Sequence, residues 1–454
     1  MRFDLSKYLV HYSALMRLGV PIVVGQIGTI VLNMADTLMV GHHSTHELAA
    51  ASFVNTMFML ALIVTLGFSY GLTALTGSLY GQERRTRIGS LLKNGLAANI
   101  LVSVVIMVAM AVLYLNIGRL GQPGELLALM RPYFLVNLAT MPFVAVFNTF
   151  KQFADGITDT RAAMWMIICG NTLNIIGNAL LIYGLFGLPE MGLLGAGVAT
   201  LVSRAAMAVA FAMLFVVKKT YRPYRRGFIV GRVTWVGMRS LFVIGVPLAV
   251  QMGMETAAFT MSSVMVGWLG VEALAAHQIM LAISQVFYMV YYGLAAAVSI
   301  RVSYFFGQRD LRALRLTAYA GMHVILAVAV CVSVPILLLR DGLGLWFTDS
   351  HEVQRLVAAL VPPLIAYQFG DCLQCVFANS LRGITYVKPM VMIALVAYVA
   401  VSLPLCYVFG FTMGGGIVGI WYSYTSGLTL AGVLYYAFFR RRLTCLAGTI
   451  APRA

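Results

Sequence analysis

Charge is what this chain has least of. Only 10% of its residues are Asp, Glu, Lys or Arg, against 61% hydrophobic, where a soluble globular domain carries about 25% charged and about 45–50% apolar residues. So much apolar surface cannot be hidden in one water-facing core and needs lipid as its solvent. Cysteine is sparse: six occur, at 169, 331, 372, 375, 406 and 445, all but Cys445 inside apolar runs. Cys372-x-x-Cys375 lacks a second pair and sits in mid-helix, so ordinary buried thiols are expected there, not a metal or redox site. The seven His are scattered, and no His/Cys metal set, nucleophile elbow or phosphate loop appears. An enzyme is therefore not expected, and no cofactor is implied. His42, His43 and His46 cluster near a connection between spans, where a solvated loop is expected in preference to a metal site.

What is present is a series of long apolar runs. They fall near 18–40, 52–78, 93–117, 127–150, 162–187 and 193–217, then near 237–268, 276–304, 316–339, 353–380, 390–411 and 415–439. At roughly 20 apolar residues per span, the length allows about a dozen helices and leaves no soluble domain over. The polar, mixed segment Met1 to Arg17 and the long run behind it predict a retained first helix, not a cleaved signal. Cations alternate sharply between connections. One set holds Arg84, Arg85, Arg87, Lys93, Arg161, Lys218 to Arg232, Arg309, Arg312, Arg315, Arg382, Lys388 and Arg440 to Arg442; the other holds little beyond Arg119, Arg131, Arg340 and Arg355. This bias predicts both termini and the basic connection on the cytoplasmic side. The net charge of +16 is thus read as a topology signal, and no nucleic-acid partner is expected.

The chain also repeats itself. Shifted by 226 residues, Gly19-Val20-Pro21 meets Gly245-Val246-Pro247, Val40-Gly41 meets Val266-Gly267, and Leu48-Ala49-Ala50 meets Leu274-Ala275-Ala276. Gly67 meets Gly293, Gly81-Gln82 meets Gly307-Gln308, and with one residue of slip Gly156-Ile157-Thr158 meets Gly383-Ile384-Thr385. Matches at one lag across glycine and turn positions mark a duplication. Each half then holds six spans, and an even number gives the halves the same orientation, related by an axis along the membrane normal. The predicted fold is all-α and polytopic, with twelve transmembrane helices in two six-helix bundles. The predicted divisions are a first lobe over 1–217, a basic linker over 218–236, a second lobe over 237–440 and a tail over 441–454. A cleft between rocking lobes is the expected route of alternating access.

Ionisable groups at bilayer depth are costly, so each is a functional candidate. Asp36, Glu255 and Asp371 lie well within predicted spans, and Arg204 is the one basic residue there. Asp371 has Tyr367 one turn earlier, Gln368 at i−3 and Gln374 at i+3; Glu255 has Gln251 one turn earlier, and Asp36 has Asn33 at i−3. Asn171, Asn174 and Asn178 form a polar stripe that should look inward, either toward a cleft or into hydrogen bonds between helices. The acids are not repeat-equivalent: Asp36 aligns with Ser262, Glu255 with Thr29 and Asp371 with Ala145. Burial disfavours the charged form of a carboxylate, which suits it to take and release a proton. Two carboxylates with hydroxyl and carbonyl oxygens can instead hold a hard cation such as Na⁺. Either ion would compete with an organic cation, which is sufficient for antiport.

Taken together, Asn33-Met34-Ala35-Asp36-Thr37 with Val40-Gly41, Pro247 with Glu255 and Ala275-Ala276-His277-Gln278, and Tyr367-Gln368-x-x-Asp371 with Leu381-Arg382-Gly383 resemble the multidrug and toxic compound extrusion (MATE) family, in particular its NorM-type bacterial branch. Met34 and Ala35 stand where that family often has an aromatic and a branched residue, and Cys372 and Asn379 stand where small residues are usual. The resemblance implies Na⁺- or H⁺-coupled multidrug efflux of amphipathic organic cations, such as dyes and cationic antibiotics, from a monomer in the bacterial inner membrane. It implies cation coupling at Glu255, Asp371 and Tyr367, the candidate Na⁺ site, and at Asp36. It implies polar cavity positions at Asn33, Asn174, Asn178, Gln251, Gln278 and Gln368. A lipid-linked saccharide flippase of related fold is the alternative; its relatives usually carry extra helices and a cationic cavity.

Overall fold

The computed structural model describes residues 6–119 and 123–450. Among them, twelve helices are long and apolar enough to cross a membrane. In chain order these are α1 (Ser6–His43), α2 (Thr45–Gly81), α3 (Arg85–Leu115), α4 (Gly124–Gly156), α5 (Thr160–Ile182), α6 (Gly192–Val217), α8 (Trp235–Gly267), α9 (Val271–Gln308), α10 (Leu311–Leu338), α11 (His351–Gly383), α12 (Lys388–Thr412) and α13 (Gly416–Ile450). The short α7 (Arg222–Val230) lies between α6 and α8. No strand occurs among the described residues, as lipid requires of an open chain whose backbone must bond within itself. The basic linker over 218–236 carries α7, and the segment 441–454 is helical to Ile450 as the end of α13.

Connections are tight where the sequence caps them. Ser44 alone separates α1 from α2; its extended backbone and its Oγ, accepting from Glu47 N at 3.4 Å, begin the capping box Ser44-x-x-Glu47. Asp310 begins α10 in the same way, accepting from Ala313 N at 2.9 Å. The duplication reaches the backbone dihedrals. Glu83 and Arg309, one lag apart, both adopt the left-handed region at φ 59°, and Thr158 and Thr385 do so at φ 68° and 56°. Residues with a side chain rarely sit there, so the two halves share their turn conformations as well as their letters. In α12, Pro404 is bracketed by widened turns at Leu395–Ser402 and Val408–Thr412, the usual response of a helix to a missing N–H.

The described helices divide into two compact units, and these differ from the linear lobes expected. One unit runs from Val24 to Ala249; the other joins the segment ending at Val23 to the segment beginning at Val250. The first halves of α1 and α8 therefore pack with helices of the opposite repeat, and the two switch points, Val23 and Ala249, lie one lag apart. Matching glycines seat the exchanged halves. A Cβ on Gly293 would lie 3.0 Å from Val23 N, and one on Gly67 would lie 2.9 Å from Ala249 Cα. These contacts are backbone against backbone, which only glycine permits. In the second unit His11 accepts or donates at 2.9 Å with Thr317 and Tyr12 bonds His323 at 2.9 Å, fixing the exchanged half of α1.

The core of the Val24–Ala249 unit is aromatic at one end. Phe147, Phe150, Phe153, Phe211 and Phe215 pack around buried Tyr221 and Tyr224. Its other end gathers Phe58, Phe134, Met130 and Met141. The second unit centres on Trp421, Tyr424, Val357 and Leu364, with Tyr291, Leu294 and Val376 beyond.

Candidate functional site

Each unit holds a carboxylate cluster built by amides. In the second unit, the half of α8 beyond Val250 carries Gln251 and Glu255, and α11 carries Tyr367, Gln368, Asp371, Gln374 and Cys375. Glu255 Oε2 accepts from Gln251 Nε2 at 2.9 Å, one helical turn away, and Oε1 accepts from Gln374 Nε2 at 2.8 Å. Glu255 remains half-buried, whereas Asp371 is 2% exposed. Asp371 Oδ1 receives only the Cys375 thiol, at 3.5 Å, and its Oδ2 has no donor. Gln368 Oε1 accepts from Tyr291 OH at 2.8 Å and from Ser333 Oγ at 3.4 Å.

Several buried polar atoms here are unpaired, the donor Gln368 Nε2 among them. The buried oxygens Asp371 Oδ2, Gln251 Oε1 and Gln374 Oε1 all lack a hydrogen-bond partner. An orphaned buried acceptor is costly. Several in one cluster with two carboxylates fit a group that supplies positive charge, whether a proton or a hard monovalent cation bound through oxygen.

Tyr367 enters differently from the expectation. Its recorded contacts are rings: Phe259 at 6.4 Å and Trp421 at 5.8 Å between centroids. It belongs to an aromatic wall with Tyr424 and His277, the last held by Ser263 Oγ at 3.0 Å. It thus borders the carboxylates and hydrogen-bonds to neither, because its ring is drawn into the packing of α13. Gln278 is exposed, next in α9 to buried His277, and has no recorded contact with the cluster. Gln374, legible in the sequence only as a neighbour of Asp371, proves to be a direct partner of Glu255. Cys375, expected as an ordinary buried thiol, contacts Asp371; Cys372 and Cys375 are not joined.

In the Val24–Ala249 unit, Asn178 Nδ2 on α5 donates to Asp36 Oδ1 on α1 at 2.5 Å. Asn174 lies against Thr200 Oγ1 at 3.1 Å and Ser203 Oγ at 3.2 Å on α6. With its amide turned, Asn174 nitrogen sits 3.1 Å from Asp36 Oδ1; which orientation is preferred depends on whether Asp36 carries a proton there. Arg204, also on α6, acts on Asp36 through its charge. The stripe on α5 therefore serves both readings left open by the sequence: it joins helices and it holds the acid. Asn171, its third member, is buried against α1 beside Gly28. Asn33 does not join. It is exposed, and only its carbonyl is engaged, by Thr37 Oγ1 at 2.8 Å, because Asp36 turns toward α5.

The histidines beyond Asp36 are not a free loop. His43 Nδ1 meets Glu47 Oε2 at 2.8 Å and its Nε2 meets Glu190 Oε1 at 2.9 Å. No group of three His, Cys, Asp or Glu with metal-binding geometry occurs among the described residues.

Twelve spans, a duplicated six-span unit and an amide-held carboxylate in each unit are the build of a secondary transporter. A family model described as MatE matches residues 21–180 and again residues 247–408, with starts one lag apart. The chain belongs to the MatE family. A curated relative, the probable multidrug resistance protein NorM of Photorhabdus laumondii, is 29% identical over 93% of this chain and 94% of its own length. The probable multidrug resistance protein NorM of Xylella fastidiosa is 27% identical over 96% of this chain and 93% of its own. Among solved structures, an outward-facing multidrug resistance MATE family transporter of the MOP superfamily superposes with a TM-score of 0.88 at 18% identity, covering 96% of this chain and 97% of that one.

Proposed function

We propose that this protein exports amphipathic organic cations by antiport against Na⁺ or H⁺. The observation that carries the reading is the cluster of Glu255 and Asp371 at membrane depth, with orphaned oxygens on Asp371, Gln251 and Gln374. An inorganic cation there satisfies those oxygens; an organic cation nearby competes with it for the same charge. The half-buried rings of Tyr367 and Phe259 suit the flat, apolar body of such a substrate. Both named relatives are multidrug resistance proteins, which supports the same substrate class. Asp36 with Asn178 forms the second coupling position. The flippase alternative is not retained, since a pyrophosphate headgroup calls for cations and both clusters are built around acids.

The placement that goes with this reading is a monomer in the bacterial inner membrane with both termini cytoplasmic, following the cation bias of the connections. The test is ethidium transport by protein reconstituted in liposomes, driven by a sudden Na⁺ or pH gradient. Export driven by the Na⁺ gradient more strongly than by the pH gradient is expected. Export indifferent to both gradients would remove the coupling reading, and movement of lipid-linked saccharide without ethidium would restore the flippase.

A further inference from the structure

The segment from Val216 to Arg239 carries seven Lys or Arg and no Asp or Glu. A positive-inside bias requires no more of such a segment than to be a loose loop, yet here it is built. α7 lies against α3 at backbone distance: a Cβ on Gly227 would fall 1.9 Å from Thr86 O, and one on Gly89 would fall 2.0 Å from Tyr224 O. Tyr221 and Tyr224 are buried beneath it, and Tyr221 OH donates to Asp159 Oδ2 at 2.7 Å. Burial pushes the Tyr224 phenol up to about 12, so it stays neutral in its apolar seat.

The cations fall into two groups. Lys218 pairs with Asp159, Arg225 donates to Val216 O, and Lys93 of α3 donates to Gly231 O at 2.8 Å. These hold the segment in place. Lys219, Arg222, Arg226, Arg232 and Arg239 are exposed and contact no acid among the described residues. Beside them stand exposed apolar side chains, Val217, Ile229, Val230, Trp235 and Val236. Val217 ends one span and Trp235 begins the next, so cations and apolar groups meet at the depth where headgroups join acyl chains. Solvent-facing charge alone would suit any polyanion, but a row of exposed apolar side chains suits only a ligand with an apolar tail.

We propose that this surface binds an anionic phospholipid of the leaflet it faces, with the phosphate on Arg222, Arg226 and Arg232 and an acyl chain along Ile229, Val230, Trp235 and Val236. The glycine contacts to α3 keep the arginines on a fixed platform, so headgroup binding braces α7 and the ends of α6 and α8 together.

The test uses the full chain in nanodiscs holding brominated phosphatidylglycerol or brominated phosphatidylcholine at equal mole fraction. Trp235 fluorescence is isolated as the difference between the unaltered protein and Trp235→Phe. Quenching of that difference should be stronger with phosphatidylglycerol, and R222Q/R226Q/R232Q should erase the excess, with a preference falling about fivefold for each cation removed near the surface. R309Q/R440Q/R441Q removes the same charge elsewhere and should leave the excess intact. Equal quenching by both lipids in the unaltered protein would overturn the proposal, as would equal loss in both triple variants. Displacement by soluble glycerophosphate would assign the surface to a free phosphate instead, and would equally overturn it.

Discussion

The two carboxylate clusters differ in what surrounds the acid. Asp36 Oδ1 accepts from Asn178, and the amide of Asn174 lies beside it. Asp371 sits among acceptors, with a weak thiol its only donor and Glu255 close enough to act on it by charge. A duplicated scaffold thus carries acids in unlike settings: Asp36 and Glu255 accept from amides, whereas Asp371 Oδ2 has no donor. On the function proposed above, that difference makes the α8–α11 cluster the first place to test for ion binding and Asp36 with α5 the second.

The comparison breaks most visibly in transport. Asp371→Asn and Glu255→Gln are each expected to abolish ethidium export in proteoliposomes while expression and folding remain normal; export retained by both would dissolve the assignment. Asp36→Asn should be milder, keeping the response to a Na⁺ jump while losing the response to a pH jump, and loss of both responses would make the clusters equivalent. In detergent unfolding, Gln374→Leu and Asn178→Leu each strip a donor from a carboxylate and should cost about 1.5–3 kcal/mol. Gly67→Ala and Gly293→Ala intrude on equivalent backbone contacts, so each should cost about 1–3 kcal/mol and by similar amounts. A large inequality would show that the exchanged half-helices are not held alike. Cys375→Ala should cost least, below about 1 kcal/mol, because a thiol is a weak donor.

Much of this was open to reading in the letters. Apolar runs, cation bias and the constant lag gave twelve spans and a duplication, and the three intramembrane acids stood out because nothing apolar explains them. The partners did not. Spacing along one helix placed Gln251 with Glu255, and the structure agrees, but it could not foresee Gln374 crossing from α11. Asn33 was grouped with Asp36 by the same spacing, and failed because the acid turned toward another helix. Tyr367 was placed beside Asp371 by spacing and given its coupling role by resemblance; its ring packs in the wall around Trp421. The helix inside the basic linker was not legible, because its buried face, Tyr221, Tyr224 and Gly227, is too short to show a period.

The traded half-helices have a consequence for how the chain can be divided. A cut in the connection before Trp235 yields two fragments of near-equal length, and neither contains a whole unit: each lacks the piece that the other carries. Separately expressed fragments should therefore remain incomplete, and only co-synthesis should restore either one.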